Sequence, residues 1–496
     1  MLPGRTHKLI LILLLVLISF AVYANSLGGD FLIDDYATIL HDNRLHTLSG
    51  YLANTLRLKP HVFAEAAHAF IWHFWQDNPF YYHLFNVVFH ALCVVLLFIL
   101  FNILFSNINL SFLAGLIFAI HPIHTEAVSW ISGGHYVFSS VFFLASFIFY
   151  IRSDRSIINL LWSAVFFGLC FLSGNSVAML PVMFIFYEVF FRQHKKRFEK
   201  TSIMPRAAVL SLMCIVSAML VGMFFVLRDR FIHTIFYFRG IRYLVVVTKA
   251  FVYYLGLLYL PVKRALYHPF AYNTTHTGRL SPAFFAGLAI IAICVYLFFR
   301  FRRTNKPLAF GIGFFFITYL PYSNIVPVCN IISERYMYLP SAGFCLVLSA
   351  LFLKAWKIIN VNKEGRKVLR ILAMTALALF LLCYTILTVK HNSEYKDIAT
   401  FWESNIKNFP EGYMAYNNLA GAFFAAGNIE QAIGYSWLNL AIKPEQPHVW
   451  SNLAGLYRQQ ADFKFARHCY SEALKLDSAY LPALKGLEEI KGYLNE

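Results

Sequence analysis

Long uninterrupted apolar stretches dominate the pattern of residues along this chain. Several of them reach the length of roughly 20 residues that an α-helix needs to cross the hydrocarbon core of a membrane. The stretches of this length that contain no charged residue include Leu9–Leu27, Leu84–Phe105, Ala207–Leu227, Ser281–Phe299 and Ile371–Val389. Five such stretches in one chain predict an integral membrane protein with mainly helical structure.

The first apolar stretch follows two basic residues, Arg5 and Lys8, as the apolar part of a signal peptide does. However, it is long enough to span a membrane, and no convincing small-residue cleavage pattern accompanies it. We therefore interpret Leu9–Leu27 as a retained first helix, with cleavage as the alternative.

Basic residues cluster between the apolar stretches and predict the topology. Further helices are expected to begin near Tyr81, Leu110, Tyr136, Ile157 and Val177. The basic clusters are Arg152–Arg155, Arg192–Arg206, Arg300–Lys306 and Lys354–Arg370. Lys and Arg mark cytoplasmic loops, and all four clusters lie inside if Ile241–Val262 is re-entrant or interfacial rather than spanning. The prediction is then a multi-pass protein of the cytoplasmic (inner) membrane with about eleven spans and a non-cytoplasmic C-terminal region.

Composition and charge agree with this class of protein. Of 496 residues, 59% are hydrophobic and 14% are charged, whereas soluble domains carry about 25% charged residues. The net charge of +17 comes from clusters between apolar stretches, so we expect a membrane and no nucleic acid as partner. The eight cysteines show no metal-ligand spacing. No cofactor is indicated, and a divalent metal ion is left open.

A repeat of 34 residues begins in the more polar C-terminal part of the chain. The recurring positions are Asn418–Ala420 with Asn452–Ala454, Ala432 with Ala466, and Pro410 with Pro444. The pattern resembles the tetratricopeptide repeat (TPR), in which small residues let paired helices approach closely. Asn439 departs from it, because Ala is usual there and Ala473 occupies the second copy. We predict a transmembrane domain over residues 1–390 and a TPR α-solenoid over 391–496.

The TPR region has two interpretations. Solenoids of this kind form extended concave surfaces that bind a protein or peptide. Alternatively, two full repeats serve as a packing module that stabilises the outer face of the membrane domain. The sequence favours binding of a polypeptide.

Two adjacent carboxylates, Asp34 and Asp35, open the first predicted outer loop, residues 28–80. Neighbouring like charges raise the pKa of one carboxyl group, which suits a proton acceptor in catalysis. The alternatives are a solvated turn or the N-cap of a following helix. The sequence alone does not separate these interpretations.

Three further polar groups stand in or beside apolar segments. His83, Asn86 and His90 share one helical stripe, which either lines a site or holds helices together by hydrogen bonds.

The block from His121 to Val128 contains His121, His124 and Glu126. Ionisable side chains in a membrane are costly unless they are paired or line a cavity, so this block is predicted to line a site, with a purely structural role as the alternative. The block Ser333–Pro340 contains Glu334, Arg335 and Tyr338. Arg335 suits a phosphate group, or it extends to the membrane interface with Glu334 as its partner.

The order of these motifs resembles one family. Asp34-Asp35, Asn78-Pro79-Phe80 with the His83 stripe, His-Pro-Ile-His-Thr-Glu-Ala-Val, Glu-Arg-Tyr-x-Tyr-Leu-Pro and a TPR array follow one another. The series resembles the transmembrane-and-TPR O-mannosyltransferases and their bacterial relatives, of the glycosyltransferase C superfamily. The resemblance covers nearly the whole chain.

This resemblance implies a reaction and roles for residues. An acceptor hydroxyl of a protein would attack the sugar, mannose as the first guess, of a polyprenyl-phosphate donor on the non-cytoplasmic face, with inversion. Asp34, or else Asp35, would be the base, and Arg335 would steady the leaving phosphate. The remaining polar residues of the blocks would shape the donor pocket: His83, Asn86, His90, His121, His124, Glu126, Glu334 and Tyr338.

Two segments depart from the family pattern. Gly133-Gly134-His135-Tyr136 stands where relatives often have Gly-Arg-x-Asp, and Ser173–Ser176 stands where relatives often have Ser-Lys followed by Glu or Pro. The losses remove cations that contact a phosphate, so His135 and Arg335 are expected to compensate, or the donor differs, or catalysis is lost. A non-catalytic membrane scaffold that recruits proteins through its TPR array is the alternative function. A transporter should contain repeated halves with broken helices, and the sequence contains no such symmetry.

Overall fold

The computed structural model describes residues 4–47, 50–51, 61–154, 156–192, 211–219, 241–261, 280–325, 330–361 and 367–494. Within these ranges the chain is α-helical and contains no strand, which confirms the predicted fold class. The described residues form two compact units, one reaching to Tyr395 and one beginning at Lys396. The helix Lys367–Ser393 carries the first unit past the predicted domain border at residue 390.

The first unit is built from helices of very different length. Its α-helices are Gly4–Tyr23, Val62–Trp75, Pro79–Phe105, Ile108–Ala119, Thr125–Ser129, Gly134–Arg152, Ile157–Phe171, Leu180–Tyr187, Ile241–Tyr259, Pro282–Phe301, Lys306–Tyr319, Ser341–Val361 and Lys367–Ser393. Short 3₁₀ segments at Pro122–His124 and Glu334–Met337 interrupt the longer helices where the polar blocks lie.

By length and composition, six of the described helices can cross a membrane: Gly4–Gly28, Pro79–Phe105, Gly134–Arg152, Pro282–Phe301, Ser341–Asn360 and Lys367–Ser393. A seventh span results if Ile108–Ala119 and Pro122–Ser129, which meet at a bend of 51°, are counted as one. Shorter apolar helices occupy 157–171, 176–191 and 243–259. Most of the predicted span Ala207–Leu227 and of the basic segment Arg192–Arg206 lies outside the described residues. The apolar helices confirm a multi-pass membrane protein, and the number eleven stays a prediction.

Helix Pro79–Phe105 lies at the centre of the packing in this unit. Its N-cap is Asn78, whose side chain accepts a hydrogen bond from Phe80 N at 3.1 Å, and Pro79 occupies the first turn, where its missing N–H costs nothing. It packs against Gly4–Tyr23, Ile108–Ala119 and Gly134–Arg152. Three polar side chains of this central helix, His83, Asn86 and His90, are buried inside the unit.

The second unit contains two helical hairpins of the same length. Tyr413–Ala425 and Pro447–Gln459 start and end 34 residues apart, and so do Ile429–Ile442 and Phe463–Leu476. The helix Ile398–Asn408 precedes them and Leu481–Ile490 follows. Five seam residues of the repeat are almost fully buried: Leu419, Leu453, Ala432, Ala454 and Ala466. The 34-residue period read from the sequence thus matches the helix boundaries.

The departure at Asn439 has a structural explanation. Asn439 is fully buried, and its side-chain oxygen accepts a hydrogen bond of 2.6 Å from Gln446 Nε2. Gln446 also donates to the carbonyl of Lys443. A buried amide needs such a partner, so Asn439 and Gln446 pair across the loop that joins the two hairpins.

Replacing Gly486 by Ala should destabilise the C-terminal end of this unit. A Cβ at Gly486 would lie 2.2 Å from Cζ of the buried Tyr470 ring, whereas a Cβ at Gly434 would meet nothing within 4 Å. Overpacking of a core typically costs about 1–3 kcal/mol, while Ala in an open helix position is favoured by roughly 0.5–1 kcal/mol. Hydrogen exchange of the full-length protein should show faster exchange over residues 463–490 for Gly486→Ala, with Gly434→Ala as the matched control. Equal protection of both variants would contradict the packing described.

Candidate functional site

The two adjacent aspartates have different environments. Asp35 is completely buried, and its carboxylate accepts hydrogen bonds of 2.8 Å from Leu32 N and Ser132 N and a further one from Ser132 Oγ. Asp34 is exposed, and no described residue donates a hydrogen bond to its carboxylate. Asp35 therefore attaches the first loop to the segment around Ser132, while the Asp34 carboxylate is open to an incoming group.

Burial raises the pKa of Asp35 to about 7, although its three hydrogen-bond donors act in the opposite direction. A carboxyl whose pKa is raised on folding favours the folded state at low pH, and that contribution is lost as the pH rises.

We expect the attachment of the first loop to weaken as the pH rises from about 4 to about 7, the interval between the ordinary pKa of an aspartate and the raised one. Hydrogen exchange over residues 32–41, corrected for the intrinsic pH dependence of exchange, should report this weakening. Asp35→Asn removes the titrating group and should abolish the pH dependence. A wild-type loop with constant protection across this interval would contradict the prediction.

The His-Pro block forms the bend between two helices. His121 Nδ1 accepts a hydrogen bond of 3.2 Å from Ile123 N and so caps the short helix that Pro122 begins. Its Nε2–H donates to the carbonyl of Leu258 at 3.1 Å. His121 therefore stabilises the bend and connects it to the C-terminal end of helix Ile241–Tyr259.

Two more histidines of the predicted site have hydrogen-bond partners inside the protein. His90 Nε2–H donates to the carbonyl of Ala119 at 3.2 Å, and its Nδ1 accepts from the Tyr338 hydroxyl at 2.7 Å. His124 Nε2 lies 2.7 Å from Ser341 Oγ. The structure thus brings His90, His124 and Tyr338 together in one buried polar layer, and direct contact of these residues with a substrate stays a prediction.

Glu126 and Arg335 form a buried ion pair. Arg335 Nη1 lies 3.0 Å from Glu126 Oε1, and the carboxylate also accepts from Arg335 N at 3.0 Å and from Ser333 Oγ at 2.7 Å. The side chain of Glu126 is 1% exposed and that of Arg335 is 13% exposed. Arg335 thus pairs with Glu126 rather than with Glu334, the partner assumed in the alternative interpretation. Glu334 is also buried.

Aromatic rings that the sequence analysis did not select surround the Arg335 guanidinium. Its Cζ lies 4.9 Å from the ring centre of Trp130, 5.7 Å from that of Tyr136 and 6.0 Å from that of Tyr336. Tyr322 stacks on Tyr336 at 5.0 Å. Cations are attracted to such ring faces, so aromatic residues hold the guanidinium in place. Their spacing along the chain carries no signal, because the rings come from three separate segments.

Asn86 holds the turn that follows the His-Pro block. Its Nδ2 lies 3.1 Å from the carbonyl of Trp130 and 3.3 Å from those of Val128 and Ile131. A Cβ at Gly134 would lie only 2.1 Å from Asn86 Oδ1, and one at Gly133 would lie 2.3 Å from the carbonyl oxygen of Glu126. Gly134 thus allows a close approach of this turn to the central helix, and Gly133 allows the turn to fold tightly onto Glu126.

His83, by contrast, is buried, and its ring lies beside the backbone of Gly29, Asp30 and Ser129 without a well-aligned hydrogen bond. Its Nε2 would lie 3.1 Å from a Cβ added at Gly29. This predicted site residue therefore packs against Gly29 at the start of the first loop, shortly before Asp34 and Asp35 in the sequence.

His135 lies beside a histidine that the sequence analysis missed. His135 Nδ1–H donates to the carbonyl of Ser132 at 2.7 Å, and His61 Nδ1–H donates to the carbonyl of Ser173 at 3.3 Å. The two ring centres are 4.1 Å apart, and both side chains are partly exposed. His61 stands alone in the sequence, so no local motif marks it.

One short segment, residues 126–136, connects most of the candidate site. It binds the Arg335 block through Glu126, the first loop through Ser132, and the central helix through the turn at Asn86. Within the described ranges, no group of three or more His, Cys, Asp or Glu side chains is arranged to hold a metal ion.

Comparison with known proteins adds relatives over most of the chain. The chain is 24% identical to protein O-mannosyl-transferase TMTC3 of Homo sapiens, in a match that covers 96% of the chain. It is also 24% identical to protein O-mannosyl-transferase F38B6.6 of Caenorhabditis elegans, in a match that covers 89% of the chain. Its homologues are the transmembrane-and-TPR protein O-mannosyl-transferases. A region covering 15% of the chain is 48% identical to protein O-mannosyl-transferase TMTC2 of Homo sapiens. No protein-family model matches the chain.

The homology confirms the resemblance that the order of motifs indicated. The match covers 56% of the human TMTC3 sequence and 64% of the Caenorhabditis elegans protein. The chain therefore spans little more than half the length of these relatives. The predicted fold class and the predicted family resemblance are both confirmed, while the roles of individual residues stay predictions.

Proposed function

We propose that this chain is a membrane-embedded glycosyltransferase that transfers a hexose from a polyprenyl phosphate to a hydroxyl group of a protein. Homology to protein O-mannosyl-transferases over 96% of the chain is the observation that carries this proposal. Mannose is accordingly the first candidate sugar. The apolar helices suit a lipid-linked donor, because a prenyl chain can lie beside them while the sugar reaches the polar blocks.

The reaction needs a base for the acceptor. The acceptor oxygen forms a bond to the anomeric carbon, its proton passes to the base, and the bond from carbon to phosphate oxygen breaks with its electron pair leaving on the phosphate. Attack from the side opposite the phosphate inverts the anomeric carbon. Asp34 is the preferred base because its carboxylate is exposed and accepts no hydrogen bond from a described residue. Asp35 already has three donors and is fully buried.

The reaction also needs positive charge at the leaving phosphate. Arg335 offers a permanent cation that Glu126 and the rings of Trp130 and Tyr136 hold in one orientation. A preorganised charge stabilises the transition state more effectively than a mobile one. We assign Arg335 to the binding of the leaving phosphate. The buried layer of His90, His124 and Tyr338 is assigned to the positioning of the Ser333–Pro340 block.

The basic clusters support an assignment of the two sides of the membrane. If these clusters are cytoplasmic, the first loop with Asp34 and the helical repeats lie on the opposite face. The second unit is proposed to present a polypeptide acceptor there through its concave surface.

A transfer assay tests the proposed function. Purified full-length protein in lipid is incubated with radiolabelled polyprenyl-phosphate mannose or glucose and with serine- and threonine-containing peptides. Label in the peptide, dependent on the lipid-linked donor, supports the enzyme. If folded protein binds peptide but transfers no sugar from any of these donors, a non-catalytic membrane scaffold becomes the better explanation.

A further inference from the structure

The rings of His61 and His135 lie next to each other, and one nitrogen of each ring has no hydrogen-bond partner among the described residues. Because backbone carbonyls accept from the Nδ1–H groups of His61 and His135, each ring keeps Nε2 for another partner. No described residue forms a hydrogen bond with either Nε2. The ring centres are 4.1 Å apart, so the two histidines form one local cluster.

Two buried hydrogen-bond donors nearby also have no acceptor. Trp130 Nε1 and Arg335 Nε are buried and form no hydrogen bond with a described residue. Trp130 is only 3% exposed, and its ring lies 4.9 Å from Arg335 Cζ. Buried donors are normally satisfied, and both of these groups can only donate. They therefore require an acceptor, such as an oxygen atom of a ligand.

The two unsatisfied donors favour an anion rather than a cation as that ligand, even though Glu126 offsets the charge of Arg335. Burial and, after it, the positive charge of Arg335 lower the pKa of His61. A metal cation cannot accept a hydrogen bond from these donors, whereas an anion can, and its charge promotes protonation of an adjacent imidazole. A protonated ring donates from Nε2 to the anion. His135 also lies in the first turn of helix Gly134–Arg152, whose N-terminal end attracts negative charge.

Tyr136 connects the two parts of this cluster. Its ring centre is 4.1 Å from that of His135 and 5.7 Å from Arg335 Cζ. Tyr136 therefore lies beside the histidine pair and also beside the Arg335 guanidinium, over which Trp130 packs.

We infer that the phosphate of a lipid-linked phosphate ester binds between His61, His135, Trp130 and Arg335. The identity of the ester as a polyprenyl phosphate rests on the proposed function. The resemblance implies cations in the segments Gly133–Tyr136 and Ser173–Ser176, and in this proposal the histidine pair takes their place. His61 comes from the first loop and reaches the carbonyl of Ser173, so it connects both departures.

Binding of three ligands to the full-length protein in phosphatidylcholine nanodiscs tests this inference: a polyprenyl phosphate, the corresponding polyprenol and inorganic phosphate. His61→Ala and His135→Ala should each weaken binding of the polyprenyl phosphate by about tenfold or more, because a hydrogen bond to a charged group is lost. Affinity for the polyprenol should not change. His73→Ala, an exposed histidine of the same loop, should behave as wild type.

His61→Gln retains an N–H donor and should preserve part of the affinity that His61→Ala loses. Unchanged binding of the polyprenyl phosphate in the alanine variants would overturn the inference. Equal weakening for the phosphate and the polyprenol, in the alanine and glutamine variants alike, would also overturn it and would assign the histidines to the shape of the lipid groove. Tight binding of inorganic phosphate alone, without competition by the lipid, would replace the lipid-linked ester by a free anion and overturn the lipid assignment.

The transfer assay, run beside the binding assay, separates this inference from the proposed function. Histidine-dependent binding of polyprenyl phosphate without any sugar transfer would support the phosphate site and contradict the enzyme. Sugar transfer that continues unchanged in both alanine variants would support the enzyme and contradict the phosphate site.

Discussion

Replacing Asp34 by Asn should reduce sugar transfer by about 10²–10⁴-fold, the usual contribution of a general base. The exposed Asp34 carboxylate accepts no hydrogen bond from a described residue, so the substitution removes a proton acceptor without breaking an observed contact of that carboxylate. The measurement is the initial rate of transfer from a polyprenyl-phosphate sugar to a peptide, together with the melting temperature of the variant. The rate should fall while the melting temperature stays that of the wild type.

Two neighbouring aspartates serve as controls for this prediction. Asp30 is exposed in the same loop, and Asp30→Asn should leave the rate close to that of the wild type. Asp35→Asn replaces an acceptor by an amide that cannot accept from all three donors at that position, so it should increase hydrogen exchange of the first loop. A wild-type rate in Asp34→Asn would remove Asp34 from the mechanism, and an additional loss of activity only in Asp35→Asn would transfer the role of base to Asp35.

Replacing Glu126 by Ala should destabilise the membrane unit by about 3–5 kcal/mol, because removing one partner of a buried ion pair leaves the other charge uncompensated. The carboxylate of Glu126 accepts three hydrogen bonds, from Ser333 Oγ and from two nitrogens of Arg335. All three donors would lose their acceptor in the variant. The free energy of unfolding, measured by reversible denaturation in mixed micelles, should fall by this amount.

The double variant Glu126→Leu with Arg335→Met is the matched control. It removes both charges and fills the space with apolar side chains, which is often nearly neutral for stability. We therefore expect it to be more stable than Glu126→Ala, so that the effects of the two positions are far from additive. If Glu126→Ala unfolds at the same denaturant concentration as the wild type, the ion pair does not contribute to holding the Ser333–Pro340 block. The double variant should still lose sugar transfer, because it lacks the Arg335 cation.

Several features were predictable because they depend on residues close together in the chain. The apolar stretches determine membrane helices, since about 20 consecutive apolar residues are sufficient to span. The 34-residue period predicted the helical hairpins of the second unit, whose boundaries repeat at that spacing. Motif order indicated the family whose members are homologous over most of the chain.

The candidate site was only partly predictable, because its contacts join segments that are distant in the sequence. Arg335 was identified as a candidate, but its pairing with Glu126 requires two segments more than 200 residues apart to meet. Trp130, Tyr136 and His61 carry no local pattern, and they become candidates only because they lie around the same guanidinium or beside His135. A local motif therefore identifies Arg335 as a candidate but does not reveal its partners from other segments of the chain.

The sequence by itself determined the helical membrane class, the C-terminal repeat and the blocks in which polar residues occur. Hydropathy and periodicity depend on residues that are close together in the chain, so they predict each helix without knowledge of the helices that it packs against. Tertiary structure alone decided that Asp35 is buried by the segment around Ser132 while its neighbour Asp34 stays exposed. The two carboxylates are chemically identical and adjacent, so only the surrounding donors and the access of solvent give them different roles.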